Sequence, residues 1–271
     1  MPRLRRLSVV FRANMPLALT AVLVLSVCEY ASTAEPDSSR LRVLCYNIHH
    51  GEGTDGKVAL PRLAEVILGA RPDLVALQEV DNRTDRTGGV DQTAELARLT
   101  GLHGRFCKQI DYEGGEYGQA VLSRFPLSEP TIHWLPGMPE RERRIAAEVQ
   151  FEAAGQKFSL VTTHLHHNQE QLRQQQAAKL NEIFAGSDRP VILAGDLNAN
   201  PDSEPLRILS QEWLVATSDR PLATYPSGEP ANQIDYILAR PRGRFRVISV
   251  EVLPEPVASD HRPVLAVIEL R

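Results

Sequence analysis

A chain of 271 residues that is 42% hydrophobic and 24% charged, with 19 Pro and 17 Gly, has the composition of a globular protein and is neither disordered nor fibrous. Its formal net charge of −4 excludes a protein that grips nucleic acid through overall charge, although a local basic strip could still do so. No Cys-x-x-Cys, His-Glu-x-x-His or Walker loop occurs, which argues against a structural zinc site, a zincin and a P-loop enzyme.

In chain order, the first segment reads as a secretory leader. Arg3, Arg5, Arg6 and Arg12 precede an apolar run over 17–27, and the small residues Ala31-Ser32-Thr33-Ala34 follow it. The run is about a dozen residues long, too short to cross a hydrocarbon core of ~30 Å comfortably. Residues 1–34 are therefore expected to be a signal peptide, and the protein to be secreted or periplasmic with no stable membrane span after cleavage. Removing four Arg and Glu29 with the leader leaves 26 basic against 33 acidic residues, net −7. Residues 35–40 read as a short polar linker, and 41–271 as one domain without an internal linker.

Strand-length apolar segments then alternate with helical patterns. Strands are expected at 41–46, 74–77, 120–122, 146–151, 158–162, 191–194, 234–238, 247–253 and 263–268. Helices are expected at 61–68, opening on Pro61; at 91–99, capped by Asp91; at 169–184, with Leu172, Leu180 and Ile183 on one side; and at 205–209. Many strands and few helices predict an α/β sandwich: two packed sheets with helices outside. Cys28 falls in the leader. Cys45, in an apolar run, reads as a buried thiol, and a Cys45–Cys107 disulfide is allowed by the compartment but not required.

The polar residues of interest stand at strand ends, where a rigid scaffold positions chemistry. Asn47 closes the first strand and Glu79 the second. His164 follows Val161-Thr162-Thr163, Asp196 and Asn198 follow Val191-Ile192-Leu193-Ala194-Gly195, Asp235 lies in Gln233-Ile234-Asp235-Tyr236, and Asp260-His261 precedes the last strand. Carboxylate and amide oxygens are hard donors suited to Mg²⁺ or Mn²⁺, and Mg²⁺ needs only one or two protein carboxylates. The pairs His49-His50 and His166-His167 read as solvated loop residues. The run 141–144 reads as a charged loop, in which Arg144 is a candidate phosphate contact.

These segments together carry a resemblance. Tyr46-Asn47-Ile48, Leu77-Gln78-Glu79-Val80, Gly118-Gln119-Ala120-Val121-Leu122-Ser123-Arg124, Thr163-His164-Leu165, Gly195-Asp196-Leu197-Asn198, Ile234-Asp235-Tyr236-Ile237 and Ser259-Asp260-His261-Arg262-Pro263 occur in this order across nearly all of 41–271. The set resembles the endonuclease/exonuclease/phosphatase superfamily, in the manner of deoxyribonuclease I and exonuclease III. The resemblance implies a four-layer αββα sandwich, with mostly antiparallel or mixed sheets and the site across the top of both. It implies Glu79 as principal metal ligand with Asn47 and Asp260 beside it, and Asp196 handling the attacking water with help from Asn198. It also implies His261 facing phosphate, oriented by Asp235, with His164 as a second phosphate-side or acid group. Tyr117, Gln119 and Arg144 are then candidate substrate contacts. The expected enzyme is an exported, Mg²⁺- or Mn²⁺-dependent phosphoric ester hydrolase, a monomer. Its substrate would be a nucleic acid or other phosphodiester, or alternatively a phospholipid or inositol phosphate.

Overall fold

The computed structural model describes residues 40–137, 142–217 and 222–271. The expected leader and nearly all of the linker lie outside the described residues. In chain order the elements are β1 (Arg40–Asn47), α1 (Leu60–Ala70), β2 (Leu74–Asn82), α2 (Gln92–Thr100), β3 (His103–Tyr112), β4 (Gly115–Ser123), β5 (Thr131–Trp134), β6 (Ile145–Ala153), β7 (Gln156–His164), α3 (Glu170–Phe184), β8 (Val191–Asp196), α4 (Glu204–Glu212), β9 (Leu214–Val215), β10 (Asp235–Arg240), β11 (Phe245–Val252) and β12 (Val264–Leu270).

Two six-stranded sheets form, in the orders β11-β12-β1-β2-β4-β3 and β5-β6-β7-β8-β10-β9. The period-2 alternation of strand side chains sets the layers. From β1, Val43 and Cys45 face the other sheet, where they meet Ile192, Ala194 and Ile237. The alternate residues Leu44 and Tyr46 pack with Leu63 and Ile67 of α1 and Leu96 of α2. On the other side, Val161 and Leu193 pack with Leu180 and Phe184 of α3 and Leu209 of α4. The result is helix, sheet, sheet, helix, as expected. Each fully buried Val, Leu or Ile in these layers contributes about 1.5–3 kcal/mol relative to exposure. Cys45 and Cys107 are buried free thiols, so the allowed disulfide is not formed.

Asp91 caps α2 by accepting from the Ala94 amide at 2.9 Å. Three strands were not visible as apolar runs: β3, β5 and β9. All three are edge strands, hydrogen-bonded on one side only. In β3 only Cys107 and Gln109 are buried, so the segment carries no continuous hydrophobic signal.

Topology gathers the polar strand ends at one edge of both sheets. β1 and β2 run parallel, as do β7 and β8, so their C-terminal ends coincide. β10 is antiparallel to β8, which places its first residue beside the last residue of β8. His164, Asp196 and Asp235 thus form one row across three strands. β12 is antiparallel to β1, so the loop entering it, with Asp260 and His261, arrives beside the end of β1. Ser259 Oγ ties that loop down by donating to the Asn47 carbonyl at 2.8 Å.

Candidate active site

The strand ends open into a cleft of about 340 Å³ lined by Glu79, Tyr117, Arg144, His164, Asp196, Asn198, Asp260 and His261 among others. A larger hollow of about 450 Å³ lies by α4 and β10, lined by Leu206, Val215 and Tyr236 with Asp202 and Arg207 among its neighbours. It gathers none of the converging acids and imidazoles, and the smaller cleft is the chemical site.

Two local devices aim side chains into the cleft. Between the pairs Leu77–Ala120 and Val80–Gly118, β2 places two residues, Gln78 and Glu79, opposite the single residue Gln119. This bulge re-aims the strand, and Glu79 takes the left-handed conformation at φ 57. On β8, a Cβ on Gly195 would lie 2.2 Å from the Thr163 carbonyl. Only glycine lets the strands approach closely enough to set Asp196 beside His164.

Asp196 is the hub. Its Oδ1 accepts from the Asn198 backbone amide at 2.9 Å, and its Oδ2 from Asn47 Nδ2 at 3.1 Å. His164 Nε2 lies 3.4 Å and His261 Nε2 3.8 Å from the same Oδ2. Burial, then the charge of Asp235, raises the Asp196 carboxyl to about 7, against the pull of His261 and the hydrogen bonds from Asn198 and Asn47. The Asn198 side chain donates to the Leu165 carbonyl at 3.2 Å, and its backbone takes the left-handed conformation at φ 47, which asparagine tolerates.

His261 Nδ1 meets Asp235 Oδ2 at 2.9 Å, and Thr224 Oγ1 donates to the same oxygen at 2.6 Å. Burial pushes His261 down. The charge and hydrogen bond of Asp235, with the charges of Asp196 and Asp260, outweigh it and hold the imidazole at about 10. His261 is therefore an imidazolium at neutral pH, with Nε2–H facing the cleft. The Tyr225 ring packs against it, with 4.9 Å between centroids. Tyr225 also lines the cleft and was not singled out from the sequence.

His164 Nδ1 lies 3.3 Å from Arg144 Nη1. A guanidinium only donates, so Nδ1 accepts and the proton sits on Nε2. Burial and the Arg144 charge hold this ring well below the usual imidazole range. His164 lines the cleft, as expected of a phosphate-side or acid group, and in this arrangement its Nε2–H points toward Asp196. Arg144 itself is buried, lines the cleft and donates to Glu142 Oε1 at 2.7 Å.

Asn47 has its amide nitrogen toward the carboxylates, donating to Glu79 Oε1 at 2.9 Å as well as to Asp196. Its Oδ1 accepts from the His49 amide at 3.1 Å, which fixes this orientation. Asn47 thus stands beside Glu79, where the expected metal ligand would be, and in this arrangement holds the two carboxylates in place. Glu79 and Asp260 both line the cleft, and carboxylates are the hard donors that a divalent cation of the Mg²⁺ or Mn²⁺ kind takes. Gln119 is a correction. It is 1% exposed and lies between the sheets, accepting from Thr162 Oγ1 at 2.8 Å and donating to the Ile145 carbonyl at 3.4 Å. It sits opposite the bulge and cannot reach a substrate.

Tyr117 lines the cleft and an adjoining side pocket of about 180 Å³ with Arg86 and Tyr112. The His pairs are not simply solvated: His166 is buried, His167 lines the cleft, and His49 and His50 stand beside Glu79. Arg143 lies over the Trp134 ring at 4.4 Å.

Known proteins share this frame. Nocturnin of Rattus norvegicus is 28% identical over 243 residues, which is 73% of this chain and 55% of nocturnin. Protein cwh43 of Schizosaccharomyces pombe is 28% identical over 172 residues, 62% of this chain and 17% of that protein. The chain thus spans about half or less of these relatives' own length. A crystal structure of an endonuclease/exonuclease/phosphatase from Beutenbergia cavernae superposes with a TM-score of 0.69 at 25% identity, over 86% of this chain and 72% of that one. The model of the Endonuclease/Exonuclease/phosphatase family matches residues 44–261, a stretch that holds every residue of the cleft, and the chain belongs to that family.

Proposed function

We propose that this chain is an exported, divalent-metal-dependent hydrolase of phosphodiesters. The observation that carries the reading is Asp196. It is a buried carboxylate at the end of β8, held by the Asn198 amide and Asn47 Nδ2, with the His164 and His261 rings 3.4 and 3.8 Å from its Oδ2. Burial and Asp235 raise it above the ordinary carboxylate range, toward that of a base. In the proposed step, water attacks phosphorus and the bond to the leaving oxygen breaks. Asp196 takes the water's proton, oriented by the Asn198 amide and Asn47 Nδ2. His261 Nε2–H and Arg144 face the non-bridging oxygens, whose charge they offset without rearranging. Asp235 keeps His261 charged and turned. A divalent cation held by Glu79 and Asp260 would add charge neutralisation at the phosphate.

A charge of −7 on the chain without its leader favours a small phosphodiester, phospholipid headgroup or inositol phosphate over long nucleic acid, whose affinity comes mostly from Lys and Arg contacts. The test is a substrate panel of bis-p-nitrophenyl phosphate, plasmid DNA, RNA, sphingomyelin and an inositol phosphate, with EDTA and with restored Mg²⁺ or Mn²⁺. Turnover that stops in EDTA and returns with the ion is expected, and full turnover in EDTA would overturn the metal assignment. Export is a separate proposal, supported by the leader pattern. Mass spectrometry of the exported protein is expected to find its N-terminus at or near Glu35, and an intact Met1 on a cytosolic protein would refute it.

A further inference from the structure

The loop after β1 holds two imidazoles that the proposed hydrolysis does not use. His49 and His50 are consecutive non-glycine residues at φ 46 and φ 45. Such backbone persists only where the surroundings over-determine it, and here they do. Gln92 Nε2 donates to the His50 carbonyl at 2.7 Å, the Glu52 amide to the His49 carbonyl at 2.9 Å, and the His49 amide to Asn47 Oδ1 at 3.1 Å. Gln92 is itself fully buried, its Oε1 accepting from the Asp81 amide at 3.0 Å.

The consequence is a cluster. One ring nitrogen of each histidine and a carboxylate oxygen of Glu79 all lie within 4.8 Å of one another. Glu52 supports both rings from behind. Its carbonyl lies 3.2 Å from His49 Nδ1, and since a carbonyl only accepts, Nδ1 carries the proton and Nε2 the lone pair. Its carboxylate lies 3.5 Å from His50 Nε2. A backing carbonyl or carboxylate on the second ring nitrogen is the usual arrangement of metal-bound histidine. All three residues are partly exposed, which leaves a path from solvent.

We propose that His49, His50 and Glu79 form a second cation site, beside the cleft and sharing Glu79 with it, that selects a borderline transition metal such as Zn²⁺ or Co²⁺. Two imidazoles and one carboxylate suit such ions, whereas Mg²⁺ and Ca²⁺ take oxygen donors. The site rests on the catalytic reading through Glu79 alone, which faces both. The Asn47 bridge joins them further, since it receives the His49 amide and donates to Glu79 and Asp196.

The experiment uses the metal-stripped full chain and Co²⁺. Proton NMR of the Co²⁺-loaded protein is expected to show hyperfine-shifted imidazole N–H signals that vanish in D₂O. Equilibrium dialysis is expected to show Co²⁺ affinity at least tenfold weaker in His49→Asn/His50→Asn, because asparagine tolerates the positive φ but removes the nitrogen ligands. The absence of shifted imidazole signals in the wild type would overturn the site without recourse to any variant. So would signals or affinity unchanged in the double variant, since they would then arise at the His164–His261 side. If the signals appear while hydrolysis survives EDTA, the second site stands and the catalytic metal assignment fails. If hydrolysis needs Mg²⁺ but no imidazole signal appears, the reverse holds.

Discussion

The two walls of the cleft around Asp196 place an imidazole each within 4 Å of the same carboxylate oxygen, at 3.4 Å for His164 and 3.8 Å for His261. Both rings are buried, and burial pushes both toward neutrality. Yet one is an imidazolium and the other a neutral donor. The difference lies at Nδ1: Asp235 stands behind His261 and Arg144 behind His164. A second neighbour decides the charge of the first, and through it one wall gains a cation while the other gains a neutral hydrogen-bond donor.

Removing the shared carboxylate breaks both walls at once. Asp196→Asn is expected to lower kcat by about 10³ to 10⁴, the upper range for losing a positioned base. A variant within tenfold of wild type in steady-state kinetics would remove Asp196 from the chemistry.

The next largest effect tests the charged wall. His261→Ala is expected to lower kcat on the order of 10² or more, as for one preorganised donor to a developing oxyanion. Asp235→Asn should act in the same direction. The double variant should be little worse than His261→Ala, because the pair acts as one unit. Independent, multiplying losses in a double-mutant cycle would separate the two residues.

The neutral wall gives the smallest effect and sharpens the contrast most directly. Arg144→Gln removes the cation behind His164, so its pKa is expected to move upward while burial still holds it below the ordinary value. Histidine resonances of the metal-free chain, followed against pH by NMR, would report the movement. kcat/KM should fall by roughly ten- to a hundredfold, the scale of one charged hydrogen bond. A stationary His164 titration would show that burial alone sets its charge.

Much of this molecule was legible in its residues. Apolar runs and Pro, Asp and Gly punctuation located nine of the twelve strands and all four helices among the described residues, because a strand buried on both faces must be hydrophobic along its length. The edge strand β3 escaped because its pairing is backbone chemistry that leaves little trace in side-chain pattern. The strand-end acids, amides and histidines were visible as residue types in order. What each does was settled elsewhere in the chain. Gln119 turned inward because β2 bulges opposite it, Asn47 turned its nitrogen to Glu79 because the His49 amide claimed its oxygen, and His49 and His50 met Glu79 because Gln92 holds their loop. The amino-acid order by itself determined which groups reach the rim and which pack the layers, since strand period and hydrophobic burial act locally along the chain. Only the tertiary structure decided charge and orientation at His164, His261 and Asp196, because a buried pKa is set by desolvation and by partners that lie tens of residues away and meet only when both sheets close.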